Sequence, residues 1–193
     1  MDPEKNLIEF FLNDKVTSAE NFFYSENRGE AAGRLSKVYT FLKTKNFSEP
    51  ILSRMVACVG EILNNSFDHN LGYWNGKPGC VLGLWADQGT ILMGIVDRGR
   101  GIVASLKSAL EPSLKPKDIL NAAFEKIVSG RAPEKRGNGL KFVRSQIQAF
   151  EKNSLFCFSA GEHYQVGPAF FKATVDMQKQ KIGTFILLRW SSK

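Results

Sequence analysis

The sequence predicts an α+β protein, specifically a two-layer α/β sandwich with a mixed, mostly antiparallel sheet and helices on one face. Helix-period patterns dominate the N-terminal part, whereas strand-like runs form a hairpin in mid-chain and recur near the end. Such separation of helices from strands is typical of α+β sandwiches. The 193 residues suit one domain, which we place at residues 49–193, after an N-terminal helical extension at residues 1–48.

The composition is that of a soluble globular protein, with 43% hydrophobic and 23% charged residues. Cys58, Cys80 and Cys157 are widely separated and stand in apolar runs, which fits buried thiols in a reducing cytosol rather than a metal site or disulfides. The N-terminus lacks a secretory signal, and no apolar run approaches the roughly 20 residues that span a bilayer. We therefore expect a cytoplasmic protein with no membrane partner.

The formal net charge of +7 could attract nucleic acid, phosphates or acidic partners. The basic residues are spread along the chain and form none of the sequence patterns of common nucleic-acid-binding modules. The sequence therefore disfavours a dedicated nucleic-acid binder.

The extension indicates two helices, one at residues 3–13 and one from Ser18 to Lys43 with a break near Gly29 or Gly33. Ser18 is expected to cap the second helix. These helices carry the aromatic residues Phe10, Phe11, Phe22 and Phe23. Either these side chains form a homodimer or partner surface, or they pack on the open side of the sheet.

The elements after the extension begin with a central helix, for which Pro50 marks the first turn. Two strand-like runs joined by D-Q-G then indicate a hairpin. The predicted ranges are 80–86 and 90–97 for the hairpin, 103–110, 118–129 and 140–151 for later helices, and 155–160, 170–178 and 183–190 for the closing strands.

The central helix carries the stretch V-G-E-I-L-N-N-S-F-D-H-N and has two different faces. Its apolar residues fall in one arc, while Glu61 and Asn65 lie one turn apart on the opposite side with Asp68 beside them. Two carboxylates and an amide on one face can bind a ligand. The alternative is a core helix with a solvated polar face.

The hairpin ends in D-R-G-R-G-I, which places Asp97 at the end of an apolar strand. Gly99 and Gly101 lack side chains, so another group can approach the backbone closely. The alternative is a tight turn in which Asp97 caps its own backbone.

A second glycine loop, G-N-G-L, leads directly into a helix. Free N–H groups at a helix start, together with the helix dipole, favour anionic groups such as phosphate, so Gly137 and Gly139 are candidates for phosphate binding. The alternative is a plain glycine-rich entry into the helix.

The order of these motifs carries more information than any one of them. An E-x-x-x-N helix, D-x-G-x-G-I, a variable insert, G-x-G-L on a helix, and G-T-F-I-L near the end resemble the GHKL superfamily of ATP-binding domains. This superfamily includes gyrase-type topoisomerases, a heat-shock chaperone, histidine kinases and MutL-type repair proteins. The resemblance covers about residues 50–190 and implies a Bergerat-type ATP-binding fold.

The resemblance also implies ATP and Mg²⁺ as cofactors. Asn65 would coordinate the Mg²⁺, and Glu61 would be catalytic, orienting or deprotonating the attacking hydroxyl or water. Asp97 would accept a hydrogen bond from the adenine amino group, supported by Thr184. Residues 103–136 would form a mobile lid. The remaining nucleotide contacts would come from Asp68, Gly99, Gly101, Ile102, Arg136, Gly137, Asn138, Gly139 and Leu140.

Within the superfamily, E-I-L-N-N-S-F-D-H-N and P-E-K-R-G-N-G-L look like motifs of the anti-sigma-factor serine kinases. That resemblance implies a kinase acting on a small regulatory partner protein. Two alternatives stay open: an ATPase or stand-alone histidine-kinase catalytic domain, and a non-catalytic ATP-responsive binding module. Ser66 in place of the family's alanine, a longer lid and a longer helical N-terminus depart from the family pattern. These departures bear on the partner and the substrate more than on the nucleotide.

Overall fold

The computed structural model describes residues 3–16, 20–45, 47–70, 72–111, 113–126 and 138–191. It confirms the α+β class: a six-stranded sheet is layered with helices. The strands are β1 (Phe22–Ser25), β2 (Cys80–Asp87), β3 (Thr90–Asp97), β4 (Ser154–Ser159), β5 (Glu162–Val166) and β6 (Thr184–Ser191). The helices are α1 (Pro3–Asn13), α2 (Arg28–Lys43), α3 (Glu49–Asp68), α4 (Gly101–Leu106), α5 (Pro116–Glu125), α6 (Gly139–Gln148) and α7 (Val175–Lys179), with a 3₁₀ turn at Lys107–Ala109.

The strand order is β1-β2-β3-β6-β4-β5, and every neighbouring pair is antiparallel. The mixed pairing that the sequence left room for is therefore absent from the described strands. The β2–β3 hairpin closes through Gln88 and Gly89, which both have positive φ, as the two-residue turns favoured in hairpins require. The β3–β6 register places Asp97 directly opposite Thr184. Two predicted site residues thus meet at one end of the sheet.

Helices α2 to α6 form the main helical layer on one face of the sheet, as the sequence predicts. Helix α3 packs between α2 and α6, and its apolar arc is buried as predicted from its periodicity. The buried members of this arc are Leu52, Met55, Val59, Ile62, Leu63 and Phe67, and its seventh predicted member, Val56, is partly buried.

Helix α1 covers the opposite face of the sheet, which decides the role of its aromatic residues. Phe10 and Phe11 are fully buried, and the ring of Phe11 meets those of Phe158 and Phe185 edge-on at centroid distances of 5.9 and 5.8 Å. The Arg98 guanidinium donates to the carbonyls of Phe10 and Phe11, which satisfies the end of the helix. Packing on the sheet, rather than exposure to a partner, accounts for these two residues.

The predicted helix from Ser18 to Lys43 is wrong over residues 20–27. Phe22 and Phe23 lie in the edge strand β1, which pairs with β2, and α2 begins only at Arg28 because Asn27 caps it. Ser18, the predicted cap, lies outside the described residues. Since β1 joins the sheet, the described part of the predicted extension shares its core with the rest of the chain.

The closing strands differ from the prediction in one place. The predicted strand at residues 170–178 is wrong, because Thr174 caps the short helix α7 there by accepting from Met177 N at 3.2 Å. The missing strand is β5, which follows β4 through a tight turn at Ala160 and Gly161, both with positive φ. Within the described residues, no helix combines the length and the apolar character that crossing a bilayer requires.

Candidate functional site

A cavity of about 260 Å³ opens between α3, the start of α6 and the adjoining ends of β3 and β6. Its volume is just below the roughly 300–1,000 Å³ of small-molecule sites. Four separated stretches of sequence contribute the predicted site residues of its wall. The predicted site residues that line it are Glu61, Asn65, Asp68, Asp97, Gly101, Ile102, Asn138, Gly139, Leu140 and Thr184.

Asp97 is the most buried of the acidic residues in the wall, with 3% of its surface exposed. Its Oδ1 accepts hydrogen bonds from Asn70 Nδ2 and from Gly99 N, each at 3.0 Å. Burial raises the pKa of the Asp97 carboxyl to about 6, while these hydrogen bonds limit the rise. The carboxyl is therefore mostly ionised at neutral pH. It offers the cavity a hydrogen-bond acceptor whose position is already set.

The bond from Gly99 N corresponds to the alternative in which Asp97 caps its own backbone. This turn does not remove Asp97 from the cavity, because its side chain still lines the wall. The two interpretations of D-R-G-R-G-I therefore describe the same residue: one carboxylate oxygen organises the loop, and the side chain also faces the cavity.

Asn70 organises the site, although the sequence did not single it out. Its side chain donates to Ser66 O at 2.8 Å and to Asp97, and it accepts from Arg100 N at 3.1 Å. Asn70 is 2% exposed. Because a buried polar group without a hydrogen-bond partner destabilises a fold, these bonds matter for stability. The available signal was its place as the last residue of N-N-S-F-D-H-N, just before the turn that leaves α3.

Gly99 leaves space for the side chain of Asn70 and does not line the cavity. A Cβ at this position would overlap the side-chain amide of Asn70, and Gly99 is not among the residues that line the cavity. The group that approaches Gly99 closely in this structure is the Asn70 side chain.

Gly101 has φ of +79°, which an L side chain rarely adopts, and a Cβ there would lie 2.6 Å from Gly183 O. Ser159 on β4 accepts from Ile102 N at 3.1 Å and donates to Gly183 O at 3.2 Å. The loop after β3 is therefore joined to β4 and to the start of β6. These contacts place Gly101 and Ile102 in the wall beside Thr184.

Glu61 and Asn65 face the start of α6 at the other end of the cavity. A Cβ on Gly139 would lie 2.5 Å from Glu61 Oε2 and 3.6 Å from Asn65 Nδ2. The glycine thus lets both polar side chains of α3 approach the helix start, where N–H groups of the first turn lack helical partners. Asn138 is the cap residue of α6 and also lines the cavity.

Asp68 lines the cavity and forms an ion pair with Arg28, with Nη1 and Oδ1 2.7 Å apart. Arg28 belongs to α2 and was not predicted as a site residue. Because it is separated from the other wall residues in sequence, only the packing of α2 on α3 brings it to the cavity.

The donor set constrains which metal could bind. Among the described residues, no three His, Cys, Asp or Glu side chains cluster as metal ligands. The Asn65 amide oxygen is a ligand suited to Mg²⁺, which commonly takes one or two protein ligands and completes its shell with phosphates and water. The site therefore fits a metal that arrives with a nucleotide. Arg136 and Gly137, two other predicted contacts, lie outside the described residues, as do residues 112 and 127–136 of the predicted lid.

No family model matches the chain, and no curated protein matches it. A solved structure, the crystal structure of the SiaB–SiaC complex from Pseudomonas aeruginosa, contains a chain similar to this one. The two are 15% identical, the match covers 87% of each chain, and the TM-score is 0.45.

Proposed function

We propose that this protein binds ATP with Mg²⁺ in the cavity and transfers the terminal phosphoryl group to a small regulatory partner protein. One observation carries the proposal. A buried carboxylate at one end of the cavity and a glutamate–asparagine pair beside a helix start at the other end arise from separate stretches of sequence, yet line one space. This arrangement suits a ligand with a base at one end and phosphates at the other.

At the base end, Asp97 would accept a hydrogen bond from the adenine amino group, with Thr184 adjacent on the facing strand. Since the carboxylate is ionised at neutral pH and already held by Asn70 and Gly99, little reorganisation accompanies binding. Guanine carries a carbonyl oxygen where adenine has its amino group. A carboxylate would repel that oxygen, so we propose selectivity for adenine.

At the phosphate end, Asn65 would hold Mg²⁺ through its amide oxygen, and the bound ion would neutralise phosphate charge. Glu61 lies one helical turn earlier, against Gly139. It would accept the proton of the attacking hydroxyl while the hydroxyl oxygen bonds to phosphorus and the bond to ADP breaks. Binding alone does not require a carboxylate here, and this favours transfer over a purely ATP-responsive module.

The test is incubation of the purified protein with Mg²⁺, ATP labelled on its terminal phosphate, and candidate small regulatory proteins. Label on a partner serine supports the proposal. Label on a histidine indicates a histidine-kinase catalytic domain, and free phosphate without partner labelling indicates an ATPase. Binding without turnover indicates a non-catalytic module.

A matched variant assigns the role of the glutamate. We expect Glu61→Gln to keep ATP affinity and to lower transfer by roughly 10²–10⁴-fold, as loss of a general base does. Unchanged transfer in this variant would remove Glu61 from the mechanism.

A further inference from the structure

Arg28 is a charged residue of the cavity that the proposed function does not use. It is the first residue of α2, and it lines the cavity beside Asp68. Among the wall residues that the structure describes, it is the single Arg or Lys, whereas Glu61, Asp68 and Asp97 supply three carboxylates. A polyanionic ligand in this space needs positive charge, and the described wall offers it only here.

The start of α2 holds Arg28 in a fixed place. Asn27 Oδ1 accepts from Glu30 N at 3.0 Å, and Glu30 Oε2 accepts in return from Glu26 N at 3.0 Å. The pattern is close to a capping box, but the Glu30 side chain bonds the N–H of Glu26, the residue before the cap, rather than that of Asn27 itself. The backbone of Arg28 is therefore set before any ligand binds.

Helix stability does not explain an arginine at this position. Positive charge in the first turn of a helix opposes the helix dipole, which favours acidic residues there. The ion pair with Asp68 is solvent-accessible, since the two side chains are 60% and 24% exposed, and exposed pairs contribute little to folding. A ligand can therefore share Arg28 with Asp68 at small cost.

The position of Asp68 on α3 indicates which part of a nucleotide Arg28 would meet. Along the chain, Asp68 comes between Asn65, which the proposed function places at the phosphates, and Asn70, which bonds Asp97 just beyond the end of α3. It is seven residues beyond Glu61, or about 10 Å along the helix axis. The ribose and the first phosphate lie between the base and the terminal phosphate.

We propose that Arg28 is a nucleotide-binding residue that donates hydrogen bonds to the ribose and α-phosphate portion shared by ATP and ADP. The inference rests on the proposed function, because it needs a nucleotide in the cavity. A guanidinium has five N–H donors in a planar fork, so Arg28 can keep Asp68 as a partner while it binds the ligand. Helix α2 thereby becomes part of the nucleotide site.

Isothermal titration calorimetry of Mg-ATP and Mg-ADP with the wild type, Arg28→Ala and Lys37→Ala tests this inference. We expect Arg28→Ala to weaken both nucleotides by about tenfold, the effect of one charge-assisted hydrogen bond. Lys37→Ala removes the same charge from an exposed position on the same helix, and we expect it to leave both affinities within about twofold. Thermal unfolding without nucleotide checks that both variants fold.

The possible outcomes separate this inference from the proposed function. If the wild type binds and Arg28→Ala binds equally well, Arg28 does not contact the nucleotide, while the proposed function stands. If Arg28→Ala weakens ATP alone, the residue meets the terminal phosphate and the placement is wrong. If the wild type takes up neither nucleotide, both proposals fail.

Discussion

Asn70 donates a hydrogen bond of 3.0 Å to the buried carboxylate of Asp97 and so joins the end of α3 to the end of β3. The same side chain holds the backbone of Arg100 in the following loop. Contacts within the protein itself therefore organise the end of the cavity where Asp97 lies. An acceptor held in this way can meet a ligand without first rearranging.

The Asn70 network predicts a large effect on folding. We expect Asn70→Ala to lower the free energy of unfolding by about 2–3 kcal/mol, because it leaves buried polar partners without hydrogen bonds. Urea unfolding measures this loss. Asn64→Ala, which removes an exposed amide on α3, is the control, with an expected change within about 0.5 kcal/mol. Equal effects of the two substitutions would show that the network contributes nothing.

Even the small methyl group of alanine should destabilise the fold at position 99. We expect Gly99→Ala to destabilise the fold by about 1–3 kcal/mol, because the new methyl group must displace the Asn70 amide. Gly33→Ala is the matched control. No atom outside its own helix and chain neighbours lies within 4 Å of a Cβ built there, so alanine should stabilise α2 by up to about 1 kcal/mol. A stable Gly99→Ala protein that retains the Asn70 bonds would contradict the packing described.

The raised pKa of Asp97 predicts that the free energy of unfolding depends on pH. The Asp97→Asn variant isolates this contribution. Since folding raises this pKa from 3.8 to about 6, the unfolded chain releases the proton first, and the stability contributed by Asp97 falls as pH rises between these values. The shift corresponds to about 3 kcal/mol. Asp97→Asn cannot titrate, so its stability relative to wild type should increase by about that amount from pH 4 to pH 7 in urea unfolding. A difference that does not vary with pH would exclude the raised pKa.

The donor set predicts that Mg²⁺ binding depends on nucleotide. We expect MgCl₂ alone to give no saturable heat in calorimetric titration, because the Asn65 amide provides too few ligands by itself. Removal of Mg²⁺ with a chelator should in turn weaken ATP binding. Saturable Mg²⁺ binding to the nucleotide-free protein would require a set of ligands other than the one assigned.

The features that the sequence predicts well depend on local periodicity. The buried arc and polar face of α3 follow directly from the spacing of its apolar residues, and the β2–β3 hairpin follows from its turn residues. The approach of Glu61, Asn65 and Asp97 to one cavity does not follow from periodicity; the resemblance of the motif order to the GHKL superfamily predicts it.

The features that it misses depend on contacts between distant segments. The four-residue strand β1 is too short to show a period of its own and forms by pairing with β2. Asn70 matters only because α3 ends beside β3, and Arg28 matters only because α2 packs on α3. No local pattern marks these two side chains as parts of a site.

Calorimetric titration of adenine nucleotide into the wild type and the Asp97→Asn variant, with Mg²⁺ present, is the most direct test of the account. We predict that the wild type takes up one ATP per chain and prefers it to GTP, and that Asp97→Asn, while still folded, binds ATP more weakly by about tenfold or more. Absence of ATP and ADP uptake by the wild type, or equal uptake by the variant, would contradict the account.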